Sequence, residues 1–246
     1  MTTSILVTGG TGTLGSLVVP LLREAGADVR VLSRHGGDVR ADLLSGEGVE
    51  AAVAGADTVL HLAGGPKGDD VATRNLLDAA RRAEVRHIAY ISVIGADRVP
   101  LAWLRSKLAA ERAIADSGIG WTTLRAAQFH GLTLSMVRGM ATLPVVPAPR
   151  GLRLQPVDTR DVADRLVDLT LGAPAGLVPD IAGPAVYPMA DLIRDYLRAA
   201  GKRRPLLPVP MPGRAGRAYR AGANLTLSGA TVGKRTWEDF LADHVG

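Results

Sequence analysis

The sequence predicts an α/β protein built on a doubly wound parallel sheet. Short β-rich runs alternate with amphipathic segments through the first half of the chain, and no tight-hairpin signal joins them. Strands linked through helices make right-handed βαβ crossovers, which lay the strands parallel. A length of 246 residues with 47% hydrophobic and 22% charged residues suits an ordinary globular chain with a self-sufficient core.

SILVT (4–8) reads as a buried strand, and LGSLVVPLLREAG (14–26) follows with helical spacing and a glycine stop. DVRVLS (28–33) and DTVLHLA (57–63) are the next two strands. In DDVATRNLLDAARRAEV (69–85), Leu76, Leu77 and Ala80 fall at helical spacing, with an aspartate to cap the start. RHIAYIS (86–92) is a strand, LAWLRSKLAAERAIADSG (101–118) a helix ending in glycine, and GWTTLR (120–125) another strand.

Beyond GWTTLR the rhythm loosens. Prolines crowd LPVVPAPRG (143–151), and helices are predicted over 159–172, 188–201 and 236–244. The stretch 205–222 reads as a proline-rich loop leading into a weak helix. These later pieces hold too little apolar mass for an independent domain. Residues 1–246 are therefore expected to form one domain, with residues from about 131 to 246 supplying a small lobe at the sheet's C-terminal edge, where ligands bind in open α/β sheets.

Composition excludes several classes. Without cysteine there is no disulfide, thiolate metal site or cysteine nucleophile, which fits a cytoplasmic protein. MTTSILVTGG lacks the basic start and apolar run of a signal peptide. No apolar run reaches the roughly 18 to 20 residues of a membrane-spanning helix, so no membrane partner is expected. The net charge of +5 comes with only 4% aromatics, too few for the stacking face of a nucleic-acid binder. GKRRP (201–205) is read as a surface turn. His35, His61, His87, His130 and His244 have no metal-ligand spacing, and no metal is assigned.

The strongest local signal is TGGTGTLG, Thr8 to Gly15. It can be written Gly10-x-Gly12-x-x-Gly15 or Gly9-x-x-Gly12-x-x-Gly15, and it follows a strand and opens a helix. Such a turn brings backbone N–H groups to a pyrophosphate at the positive end of the helix. The second strand ends in Ser33 and Arg34, where an NAD site typically has a carboxylate for the ribose hydroxyls. A guanidinium and a hydroxyl there suit a 2′-phosphate, so the expected cofactor is NADP(H).

With ADTVLHLAG (56–64), residues 74–97 and 104–129, and PVDTRDVADRLV (156–167), these motifs resemble the short-chain dehydrogenase/reductase superfamily. The likeness is to its atypical and extended NmrA-like members, which have a Rossmann-type sheet. The resemblance implies that Gly9, Thr11, Gly12, Thr13, Leu14 and Gly15 form the phosphate turn and that Asp42 and Leu43 flank the adenine. It implies that Leu62, Ala63 and Gly64 line the ribose side, Ser92 and Ile94 end the strand beneath the nicotinamide, and Lys107 reaches the nicotinamide ribose. Ala126, Ala127, Gln128 and Phe129 would follow the nicotinamide ring.

One position departs from the pattern. In the family a tyrosine four residues before the lysine moves the carbonyl proton; here that position is Trp103. Tyr90 lies within a predicted strand, where a structural role is expected. His130 is either a proton donor near substrate or a core histidine, and Asp158 and Asp161 either cap the following helix or take part in chemistry.

The expected function is NADPH-dependent reduction of a hydrophobic, quinone-like or conjugated carbonyl compound, with Lys107, Ser92, Trp103 and His130 as catalytic candidates. Such acceptors take hydride at an electrophilic centre and need no phenol beside it. The alternatives are a non-catalytic NADP(H)-binding redox sensor and a non-redox isomerase or cyclase. The expected assembly is a monomer or homodimer.

Overall fold

The computed structural model describes residues 2–65 and 68–245. In chain order it contains β1 (Ser4–Thr8), α1 (Gly15–Glu24), β2 (Asp28–Ser33), β3 (Val39–Arg40), α2 (Val49–Val53), β4 (Thr58–His61) and α3 (Asp69–Arg82). There follow β5 (His87–Val93), α4 (Ala102–Ala115), β6 (Gly120–Ala126), α5 (His130–Met140), β7 (Val146–Pro149), β8 (Arg153–Leu154), α6 (Thr159–Leu171) and β9 (Gly176–Leu177). The chain closes with β10 (Ile181–Ala182), β11 (Tyr187–Pro188), α7 (Met189–Ala199), β12 (Leu206–Val209), α8 (Gly213–Arg220), β13 (Thr231–Val232) and α9 (Trp237–His244).

Two compact units emerge. The first comprises residues 1–92, 102–125 and 162–178; the second takes 93–101, 126–161 and 179–246. In the first, strands run in the order β3-β2-β1-β4-β5-β6, with β9 beside β6. The pairings of β1 with β2 and β4, of β2 with β3, of β4 with β5 and of β6 with β9 are all parallel, as the βαβ pattern requires. This is the Rossmann-type strand order, which reverses direction of growth between β1 and β4.

Leu6, Val59 and Ile88 pack under Leu76, Leu77, Ala110 and Ile114 of α3 and α4 in one apolar cluster. Ile5 and Val7, alternating with Leu6, point to the other face. There α1 packs against β1 and β2. Helix α1 ends where the sequence predicts, with Gly26 in the left-handed region at φ +86°.

The start of α3 differs from expectation. Its N-cap is Gly68, with no side-chain cap, and Asp69 is the first helical residue, its carboxylate turned to other partners. Asp158 does cap α6, its carboxylate accepting the Arg160 N–H at 2.9 Å, whereas Asp161 accepts the Lys234 N–H at 2.8 Å.

The second unit has an apolar cluster of its own, in which Leu134, Val137, Val146, Leu192, Ile193 and Trp237 meet. Ala126, the last residue of β6, pairs in parallel with Ile181 of β10, and β10 pairs with β13. The proline-crowded stretch 143–151 and the expected loop of 205–222 each give one strand of a parallel pair, β7 with β12, and β8 pairs antiparallel with β11. Helix α5 was not expected, and α9 is fixed by a capping box between Thr236 and Asp239. Among the described residues no helix is long and apolar enough to cross a membrane.

Candidate active site

The first unit opens a cavity of about 550 Å³ at the ends of β1, β2 and β4. Its floor is the glycine turn. Gly9 adopts φ +70°, and a methyl group there would lie 2.7 Å from Ala63 N, so only glycine lets this turn lie against the end of β4. The Gly12 N–H closes the turn onto Gly9 O at 3.0 Å. Gly15 is equally constrained, because a methyl there would stand 2.4 Å from Gly9 O. Thr11, Gly12 and Thr13 remain exposed beside the start of α1, whose first amides and dipole favour an anion.

At the edge of the cavity formed by β2, Arg34 is exposed and has no ion-pair partner among the described residues. Ser33 Oγ accepts long hydrogen bonds from the His35 and Gly36 amides at 3.5 and 3.4 Å. Its own proton is then available to a ligand. Across the cavity, Asp42 Oδ1 accepts the Leu44 N–H at 2.8 Å, and Asn75 Nδ2 donates to Leu43 O at 2.8 Å. These bonds pin the loop that carries Asp42 and Leu43.

Behind the remaining wall lies a buried polar network. Thr73 Oγ1 donates to Asp69 O at 2.6 Å, so it can only accept from His61 Nε2, 3.1 Å away. His61 Nδ1 is thereby the acceptor of the Thr8 hydroxyl at 2.7 Å, which in turn accepts the Ala63 N–H at 3.2 Å. Burial, reinforced by the nearby Lys107 charge, holds the His61 pKa down at about 3. A neutral imidazole with one fixed tautomer thus ties β1, β4 and α3 together beneath the cavity.

The expected catalytic residues of the first unit have partners of their own. Lys107 Nζ lies 3.0 Å from Asp69 Oδ2 and 5.2 Å from the Tyr90 ring centroid. Tyr90 is 1% exposed and stacks on His61. Burial, then the Asp69 and Glu111 charges, push its phenol well above the ordinary range. Ser92 is 1% exposed, and its hydroxyl donates to Glu111 Oε1 at 2.5 Å. Glu111 is also gripped by Arg125 through bonds of 2.9 and 2.6 Å. Trp103 stands half-buried in the first turn of α4, one turn before Lys107.

The sequence-expected residues thus separate into three sets. Gly9, Thr11, Gly12, Ser33, Arg34, Asp42, Leu43, Leu62, Ala63 and Gly64 come together around the cavity. Thr13, Leu14, Gly15, Ser92, Trp103 and Lys107 belong to the same unit outside that lining. Ile94, Ala126, Ala127, Gln128, Phe129 and His130 belong to the second unit. There the Ile94 N–H donates to Ala126 O at 3.0 Å, and Phe129 bridges to Val157. His130 is fully buried against Trp237 and Phe240, and burial above all lowers its pKa to about 4 despite the opposing pull of Asp158.

Among the cavity residues that the sequence did not mark are Asp69 and Ala72 of α3 and, just before it, Gly65 and Gly68. Asn75, also unmarked on α3, holds the Leu43 carbonyl from outside the lining. The signal for Asp69 was its acidic type, and a capping role explained that equally well.

The chain matches the NAD(P)H-binding family over residues 9–170, the span that builds the glycine turn, the cavity and the wall behind it. The chain belongs to this NAD(P)H-binding family. The NAD(P)H-binding protein is 31% identical over 217 residues to a (4-alkanoyl-5-oxo-2,5-dihydrofuran-3-yl)methyl phosphate reductase of Streptomyces griseus, over 80% of this chain and 74% of the relative. It is 29% identical over 135 residues to quinone oxidoreductase 2 of Escherichia coli, over 49% of this chain and 47% of the relative. Longer relatives from Mycobacterium tuberculosis, 29% identical, are matched over 24% of their length. Among solved structures, an NADPH-dependent quinone oxidoreductase of Escherichia coli with bound NADPH superposes with a TM-score of 0.83. That match covers 97% of this chain and 99% of the other at 20% identity, a likeness of fold. The NAD(P)H-binding protein thus has the Rossmann-type fold of that reductase.

Proposed function

We propose that this protein is an NADPH-dependent reductase of a quinone-like or conjugated carbonyl compound, working without a phenolic acid. The observation that carries the reading is the state of the phenol in the first unit. Tyr90 is the single tyrosine there, and it is buried beneath Lys107. With Trp103 in the usual place, no phenol of the first unit stands ready to protonate a ketone. An acceptor that takes hydride at an electron-poor carbon and collects its proton from water needs none. Two relatives fit this class: one is named for quinones. The other is named for a 5-oxo-2,5-dihydrofuran, a ring whose double bond is conjugated to carbonyl.

The cavity suits the cofactor by its glycine turn, its volume and the exposed Arg34. Gly9 to Gly12 would hold the pyrophosphate, Arg34 and Ser33 the 2′-phosphate, and Asp42 with Leu43 the adenine. The bound dinucleotide would supply the hydride. The protein's residues orient the two reactants and leave the acceptor's proton to solvent. The second unit, about residues 131–246 for the most part, would serve as the substrate-side lobe for a hydrophobic ligand. The same facts also favour a second reading, a non-catalytic NADP(H) sensor, because Ser92 and Tyr90 are both withdrawn from solvent.

Fluorescence titration with NADPH and NADH, followed by turnover with quinones and enones, tests the proposal. The expected result is preference for NADPH, lost in Arg34→Ala with a fall in NADPH affinity of about tenfold or more, the worth of a charge-assisted phosphate contact. Equal binding of both nucleotides would remove the Arg34 assignment. Selective binding without turnover of any acceptor would leave the sensor reading.

A further inference from the structure

We propose that Asp69 is a positioning residue for the dinucleotide, acting through Lys107; this rests on the cofactor reading above. Asp69 opens α3, where the helix end favours a carboxylate. One oxygen accepts the Gly65 N–H at 2.7 Å, and the other lies 3.0 Å from Lys107 Nζ. The two side chains are only 6% and 12% exposed. The lysine contact engages one carboxylate oxygen, so the ammonium keeps N–H donors for a further partner.

Gly64 decides where those donors sit. A methyl group there would lie 2.8 Å from Lys107 Nζ and 3.4 Å from Asp69 Oδ2. Both Gly64 and Asp69 line the nucleotide cavity. The ammonium therefore stands directly behind a piece of cavity wall that has no side chain to cover it. A hydroxyl of the bound dinucleotide is the ligand chemistry that three ammonium donors fit.

The groups facing Lys107 are Asp69 from α3, neutral His61 from β4, the Tyr90 ring from β5 and, further along α4, Glu111. Glu111 already answers to Arg125 of β6. Asp69 is the carboxylate in contact, and it fixes where the Lys107 ammonium stands.

The test is NADPH affinity, followed by fluorescence, for the wild type, Asp69→Asn, Lys107→Met, their double variant and Gly64→Ala, with thermal melts to establish folding. Asp69→Asn and Lys107→Met should each weaken binding by about tenfold or more. In the double variant Asp69→Asn should add nothing to the loss from Lys107→Met. No loss in Asp69→Asn, or a loss that persists in the Lys107→Met background, overturns the proposal, since a merely structural aspartate would act without the lysine. Gly64→Ala moves the ammonium without altering charge and serves if Asp69→Asn does not fold. Combined with Lys107→Met it should cost nothing more, and additive losses overturn the proposal too. A wild type that binds no NADPH brings down the cofactor reading, and this proposal with it, but does so before any variant is compared.

Discussion

Ser92 and Lys107, two of the residues expected to be catalytic, have partners of their own. Ser92 donates its proton to Glu111, which leaves it with lone pairs and nothing to offer a carbonyl oxygen. Ser92→Ala is therefore expected to change turnover of a quinone by less than about threefold, while leaving Glu111 one hydrogen bond short at about 1–3 kcal/mol of stability. Steady-state kinetics beside a urea melt separates the two. Trp103 is four residues from Lys107 and shares a helix face with it. In the family pattern a free lysine charge lowers the phenol's pKa; here Asp69 neutralises that charge. Trp103→Tyr should then titrate near the ordinary value of about 10, read by ultraviolet absorbance, and should not reduce simple ketones. A phenol titrating one unit or more lower would mean that Lys107 acts as a free cation. The tryptophan was plain in the sequence, but the ion pair was not, because its members are 38 positions apart and only the α3–α4 contact joins them.

Among the elements, the β1–α1 turn has the least room for change. Gly15→Ala would place a methyl group 2.4 Å from Gly9 O and 2.5 Å from Gly10 Cα, both backbone atoms that cannot give way alone. A loss of about 3 kcal/mol or failure to fold is expected, measurable as a Tm shift or loss of soluble protein. At the other end of the chain, Thr236→Ala removes one arm of the capping box of α9 and should cost about 1 kcal/mol. Most strands and helices up to GWTTLR could be read from the sequence because apolar period and glycine stops agreed there, but the short β3 and α2 were not expected. Helix α5 was hidden because its N-cap is Phe129, with no side-chain cap, and Gly131 and Gly139 interrupt its helical propensity. The β7–β12 pair was hidden because Pro147, Pro149 and Pro208 withhold the amides by which a ladder is usually recognised.

Over the molecule as a whole, acid should be the weak side. His61 and His130, one in each unit, have pKa values lowered by burial to about 3 and about 4. Unfolding restores the ordinary value near 6.5, so below that pH the unfolded chain binds more protons. Their contribution is whole above pH 6.5 and is lost as pH falls, at up to about 1.4 kcal/mol per pH unit for each group. The Tm should decline steadily between pH 6.5 and 4.5, and a flat profile over that interval would contradict the buried neutral states. The cavity's glycines were legible without any structure, whereas the neutral charge of His61 depends on three chain segments meeting.

The path of the chain bears on synthesis as well as stability. The first unit is interrupted twice, and residues 162–178, which bring β9 to β6, are translated only after residues 126–161 of the second. A gene fragment stopping at residue 161 would encode β6 without that neighbour and without most of α6. The nascent nucleotide-binding unit thus waits on the ribosome for its final strand while part of the other unit has already emerged. No single cut separates the two units, because each is threaded through the other along the chain.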